Sequence, residues 1–149
     1  MIFIIAFIIF FLDQLSKFII TKNLLLNQSV PIIKGVFHFT LVHNRGAAFG
    51  ILKNQIPLFI ITSTIAILLI FLGLRASPKK PSVYNLSLAL ILAGALGNLI
   101  DRFSSGYVID FLDFRIWPVF NIADSSITAG TIMLGWLILR SRDKIDSQK

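Results

Sequence analysis

The chain has 149 residues, of which 56% are apolar and 14% charged, with no cysteine and a net charge of +7. So little charge cannot cover the surface of a soluble domain of this length, which points to an integral membrane protein of one domain, residues 1–149. The missing cysteines exclude disulfides, thiolate metal sites and thiol nucleophiles, and the basic residues flank apolar stretches, as topology and anionic lipid demand, rather than forming a nucleic-acid surface.

There is also no glutamate, so every side-chain carboxylate is one of seven aspartates. The first predicted span is 1–20. Twelve apolar residues open it, and Asp13, Gln14, Ser16 and Lys17 interrupt its far end. It has neither a basic leader nor a small-x-small cleavage site, so it reads as a retained helix and not as a removed signal peptide. Asp13 and Lys17 stand four apart with the acid first, the favoured orientation of a helical ion pair. Either they neutralise each other at the interface while Lys17 snorkels outward, or one of them meets a polar substrate group.

Residues 21–56 form the first large loop. Apolar and polar residues alternate over 37–41, the period of a strand with one buried face, so a small sheet on the membrane surface is expected around 36–43. Asn44 and Gly46 follow and suit a tight turn or a close backbone approach. His38 and His43 do not make a metal site, because no third nitrogen or sulfur ligand accompanies them.

The second span, 57–74, carries no charge over eighteen residues, enough to cross a bilayer, and Pro57 suits its first turn. A short basic loop, 75–81, leads to the third span, 84–101. Gly94, Asn98 and Asp101 are spaced i, i+4 and i+7 on one face of that helix. Ala93 and Gly97 add a small-xxx-small pair that permits close helix contact. Asn98 is then a buried polar group that needs partners, and Asp101 with Arg102 reads first as an interfacial salt bridge.

Residues 102–121 form the second large loop. Asp113 is assigned a structural role beside Arg115. Asp110 lies in an apolar run, 108–112, and has no comparable structural reason. The fourth span, 122–139, begins with Asn121 at its N-cap and Asp124 three residues on, which resembles a capping box with Asp replacing Glu. That alone would explain Asp124 without any chemistry.

Lys and Arg divide equally between the two sides, so topology rests on the short segments near span ends. Arg75, Lys79 and Lys80 crowd one short loop, and Arg140, Arg142 and Lys144 follow the last span. Both segments are therefore placed in the cytoplasm, with 21–56 and 102–121 outside. This brings the polar end of span one, Asn44, Gly46, Asn98, Asp110 and Asp124 to one outer interface. Two carboxylates at a span mouth can share a proton and do acid–base work. A transporter subunit or proton relay is the competing reading, but it needs ionisable groups that continue inward, and none occurs between Asp124 and Arg140. No Thr-Gly or Ser-Gly follows either aspartate, Ser16 and Lys17 are adjacent and point apart on a helix, and there is no G-x-S-x-G.

Five segments carry a resemblance: Asp13-Gln-Leu-Ser-Lys17, Asn44-Arg-Gly-Ala-Ala-Phe49, Gly94-Ala-Leu-Gly-Asn-Leu-Ile-Asp-Arg102, Val108-Ile-Asp-Phe111 and Phe120-Asn-Ile-Ala-Asp124. In order and spacing they resemble the signature segments of bacterial lipoprotein signal peptidase, signal peptidase II. The resemblance implies four transmembrane helices with a small β-cradle on the outer membrane surface. It implies a metal-free aspartyl endopeptidase of the bacterial inner membrane, without cofactor, that cuts prolipoproteins just before the diacylglyceryl-modified Cys. It maps the catalytic pair onto Asp110 and Asp124, and substrate-binding or supporting roles onto Asp13, Lys17, Asn44, Gly46, Gly94, Asn98, Arg102 and Asn121. Its implied partners are the lipid-modified precursors, membrane lipid and inhibitory cyclic peptides of the globomycin type.

Overall fold

A computed structural model describes residues 2–46, 52–76 and 82–146. Ala47, Ala48 and Phe49 of the turn segment, Lys79 and Lys80 of the basic loop, and Lys149 lie outside the described residues. The elements run α1 (Ile2–Asn23), β1 (Ser29–Ile33), β2 (Phe37–Asn44), α2 (Ile56–Ala76), α3 (Ser82–Ser105), β3 (Val108–Asp113) and α4 (Ile122–Asp146). All four helices are long and apolar enough to cross a membrane. A helix covers each expected span and, at its C-terminal end, extends beyond the predicted bound. Helix α3 continues four residues past Asp101 into the expected outer loop, and stops where Gly106, at φ +73°, returns its N–H to the Arg102 carbonyl, as a left-handed C-terminal cap does.

Helix α3 is the hub. Half of its membrane window is buried, against 11–17% for the other three. Its small residues make this possible. A Cβ at Gly94 would strike the Ala123 carbonyl of α4, and one at Gly97 would meet Asp13 of α1 and Ala123. Close backbone approach of this kind is how helices associate where the surrounding lipid is as apolar as their side chains. Ala89, Leu92 and Ala93 of α3 form the apolar core with Ala6 of α1 and Ile67 and Ile70 of α2.

The three strands form one antiparallel sheet, in the order β1-β2-β3. It sits at the end of the bundle where α1 and α3 finish and α2 and α4 begin. The strand expected at 36–43 is β2. It is the middle strand, joined to β1 by a turn in which the Val36 N–H bonds the Ile33 carbonyl and Gly35 takes φ +77°. Strand β3 was not expected. Residues 108–113 show no polar–apolar alternation because both faces of the strand are covered, with Val108, Asp110, Phe111 and Asp113 all buried. Leu41 and Phe111 pack with Ile20 at the end of α1, which seats the sheet on the bundle.

Candidate active site

Asp110 projects from β3 and Asp124 from the first turn of α4, and both line one cavity of about 820 Å³. Sheet pairing places Asp110 opposite Val42 of β2. Asn44, two residues further along β2, donates through Nδ2 to Asp110 Oδ2 at 2.9 Å. The Gly46 N–H in turn donates to Asn44 Oδ1 at 2.9 Å, an Asx-type turn that orients the Asn44 amide. The tight turn expected at Asn44 and Gly46 is therefore present, and it serves the carboxylate.

Asn121 is the N-cap foreseen for α4, its Oδ1 accepting the Asp124 N–H at 2.8 Å. The capping box is not reciprocal, however. Asp124 turns away from its own helix start, and its Oδ1 accepts from Asn98 Nδ2 of α3 at 2.7 Å. Asn121 uses its Nδ2 elsewhere, donating to Asp110 Oδ1 at 2.7 Å and to Asn98 Oδ1 at 3.1 Å. Asn98 and Asn121 thus form a bridge of two amides, with one aspartate at each end.

Asp110 is 1% exposed. Burial pushes its carboxyl up to about 7, and the charge of nearby Asp124 acts in the same direction. Hydrogen bonds from Asn44 and Asn121 and the positive charge of Lys17 oppose that rise. A carboxyl that titrates near neutrality can exchange a proton under ordinary conditions.

Beneath this pair lies a second cluster. Lys17 does not snorkel. It is 2% exposed, and Nζ sits 2.7 Å from Asp13 Oδ2 and 2.8 Å from Asp101 Oδ2. The helical pair expected of Asp13 and Lys17 is real, but Asp101 joins it. The expected Asp101–Arg102 salt bridge is corrected accordingly. The two side chains leave α3 in different directions, since neighbours on a helix stand about 100° apart. Arg102 instead lies over the Phe59 ring of α2, 4.7 Å from its centroid, and reaches the Asn98 carbonyl at 3.4 Å. Its Nε is buried without a hydrogen-bond partner among the described residues. With Asn98, Asp124 and Ile127, Arg102 separates the main cavity from a smaller one of about 370 Å³ lined by Phe59, Thr62 and Ala66 of α2.

Of the residues singled out from the sequence, Asn44, Gly46, Asn98, Arg102, Asp110 and Asp124 line the main cavity. Asn121, Asp13 and Lys17 are buried behind it. Gly94 serves the packing of α3 on α4. Asp113 has the structural role assigned to it, with Arg115 Nη1 at 3.0 Å and the Thr40 hydroxyl at 2.7 Å. Two contributors were missed. Gln14 donates to Asp13, Asp101 and the Gly97 carbonyl; its place between Asp13 and Lys17 was the available signal. Phe114, Ile116 and Trp117 form an apolar wall of the cavity, and nothing in their spacing marks them.

The family model described as Signal peptidase (SPase) II matches residues 5–140. A lipoprotein signal peptidase of Moorella thermoacetica is 49% identical over 134 residues, covering 90% of this chain and 89% of that one. Those of Nostoc punctiforme and Clostridioides difficile are 46% and 49% identical, over 87% and 83% of this chain and 83% and 84% of their own lengths. A bacterial membrane enzyme solved by the in meso method at 2.3 Å superposes with a TM-score of 0.91 at 33% identity, over 96% of this chain and 90% of that one. The matches span the helices, the sheet and both aspartates, and the chain belongs to the signal peptidase II family.

Proposed function

We propose that this chain removes signal peptides from prolipoproteins by aspartyl chemistry at Asp110 and Asp124, cutting before a diacylglyceryl-modified Cys. One observation carries the reading: two carboxylates, joined by the Asn98–Asn121 amide bridge and without an ion pair among the described residues, share the wall of a largely apolar cavity at the end of a membrane bundle. The pair holds one proton between them, and burial favours Asp110 as its carrier. Asp124, at the positive end of the α4 dipole, takes a proton from water, and the oxygen attacks the carbonyl of the residue before the Cys. Asp110 hydrogen-bonds that carbonyl and passes its proton to the oxygen as the adduct forms, giving a neutral gem-diol, and it takes a proton back from one gem-diol hydroxyl as the C–N bond breaks. The peptide nitrogen leaves with a proton returned by the pair, and water is the nucleophile throughout.

Arg102 lines the cavity beside Asp124, and its guanidinium would donate to a substrate carbonyl. Asn44 and Gly46 cover the scissile segment from the sheet, and the Phe114–Ile116–Trp117 wall accommodates apolar side chains or acyl chain. Globomycin-type cyclic peptides would compete for the same cavity. The proton-relay reading is not favoured, because the ionisable groups stop at this interface.

The test is cleavage of a diacylglyceryl-modified precursor by purified protein in detergent with a chelator present. Asp110→Asn and Asp124→Asn should each lose at least ~10² in rate, the scale of lost acid–base catalysis. Near-normal turnover by either variant, or abolition of wild-type turnover by the chelator, would overturn the metal-free dyad. The basic clusters at 75–80 and 140–144 support a site on the outer side of the bacterial inner membrane. A reporter active only in the periplasm should work when inserted near Asn54 and fail when fused after Arg142; the reverse pattern would put the site in the cytoplasm.

A further inference from the structure

Lys17 takes no part in the proton transfers above, yet its ammonium is among the most deeply buried groups in the molecule. Its two carboxylate partners share a property. Asp13 Oδ1 accepts the backbone N–H of Ala123 at 2.8 Å, and Ala123 is the residue before Asp124. Asp101 Oδ2 accepts the backbone N–H of Ile109 at 3.2 Å, and Ile109 is the residue before Asp110. Each catalytic aspartate is therefore tethered, one residue upstream, to a carboxylate on a different helix, and the same ammonium lies between those two carboxylates. Lys17 Nζ also donates to Asn98 Oδ1 at 3.2 Å. That bond fixes which end of the Asn98 amide faces Asp124.

We propose that Lys17 is a positioning residue that sets the separation and orientation of Asp110 and Asp124, acting through Asp13, Asp101 and Asn98. The proposal rests on the dyad reading above. Two independent acceptors could hold the two N–H groups, but they would not fix the distance between α4 and β3. A shared cation does, because each carboxylate must stay within reach of the same nitrogen. A displacement of about 1 Å in a reacting group can cost on the order of 10² in rate, so the tether acts on chemistry more than on substrate binding. Gln14 bridges the same two carboxylates with a neutral amide, which gives the cluster a second link when the cation is removed. Among the described residues, the charged groups that face the ammonium are Asp13 on α1, Asp101 on α3, Asp110 on β3 and Asp124 on α4.

The experiment compares Lys17→Met with the neutral triple variant Asp13→Asn, Lys17→Met, Asp101→Asn. The triple variant keeps an oxygen acceptor for each N–H and leaves no unpaired buried charge. Folded fraction is measured by thermal melting and size exclusion in detergent, and kcat and KM on the lipid-modified precursor are scaled to it. Lys17→Met should lose on the order of 10–100-fold in kcat, as when an orienting partner behind a reactive group is removed, with KM changed by less than about twofold. Its alkaline limb in kcat/KM should move to higher pH, because the lost charge had held Asp110 down. The triple variant should fold and show the same loss in kcat, and it becomes the reading if Lys17→Met does not fold. Wild-type kcat in either folded variant overturns the proposal. Failure of both to fold also overturns it, since the cluster would then be only a folding element. Asp110→Asn is assayed alongside. If it stays active, the dyad reading has failed; if it is inactive while Lys17→Met is normal, only the positioning role has.

Discussion

Asp13 and Asp101 meet the ammonium of Lys17 and the amide of Gln14 in a closed cluster. Asp110 and Asp124, held next to them, take their side-chain hydrogen bonds among the described residues from the amides of Asn44, Asn98 and Asn121 and open on a cavity. An ammonium neutralises a carboxylate and favours one charge state. An amide orients the carboxylate and leaves its proton free to come and go. Burial is nearly the same in Asp13 and Asp110, at 0% and 1% exposed, so depth does not separate the two clusters. The charge of the partner does.

The sharpest way to break that comparison is to exchange the expected losses. Asp13→Ala leaves Lys17 short of a counter-charge and should cost about 3–5 kcal/mol of stability, as removing one partner of a buried pair does. Asp110→Asn should leave stability intact or raise it, while activity falls. Thermal unfolding of both variants in one detergent reads the contrast, and equal losses would erase it.

Next in size is the pH dependence. Asp110 binds its proton more tightly in the fold than its ordinary value near 3.8, up to about 7. Between those values the folded state holds more proton than the unfolded one, so stability should fall as pH rises through that window. Asp110→Asn should flatten this slope. The proposed dyad would need its single proton, so kcat/KM should decline on the alkaline side near 7. Asn44→Ala removes a bond that favours the charged form and should move that limb to higher pH. A limb that moves to lower pH would contradict the assignment.

Smaller still is the difference between one and two substitutions. Asp110→Asn with Asp124→Asn should be within about threefold of the slower single variant, because groups that act as a unit are not additive. Last comes Asp113, whose cation partner Arg115 is 48% exposed. Asp113→Asn should cost less than about 1 kcal/mol and leave turnover unchanged, which a precursor assay checks directly.

Much of this was legible in the sequence. Hydropathy located the four spans, alternation located β2, and the i, i+4 spacing paired Asp13 with Lys17. Strand β3 was hidden because both its faces are buried, which removes the alternation a strand normally shows. Pro31 and a fully exposed side-chain row disguised β1 in the same way. The two-amide bridge could not be read at all. It depends on how closely α3 approaches α4, and that is set by Gly94 and Gly97 acting at a distance from the residues they bring together. Asp101 was misassigned to its sequence neighbour because its true partner lies 84 positions away, on another helix.

Asn121 caps α4 with one end of its amide and holds Asp110 with the other. The start of the last span and the assembly of the two carboxylates are therefore a single event. During synthesis, Asp110 emerges after Asn44, which holds one of its oxygens, but before Asn121, which holds the other, and it gains its partner only when α4 begins. A chain that has inserted three spans lacks Asp124, the Asn121 amide and the α4 side of the cavity. If the proposed dyad carries the reaction, proteolytic competence arrives with completion of the membrane bundle.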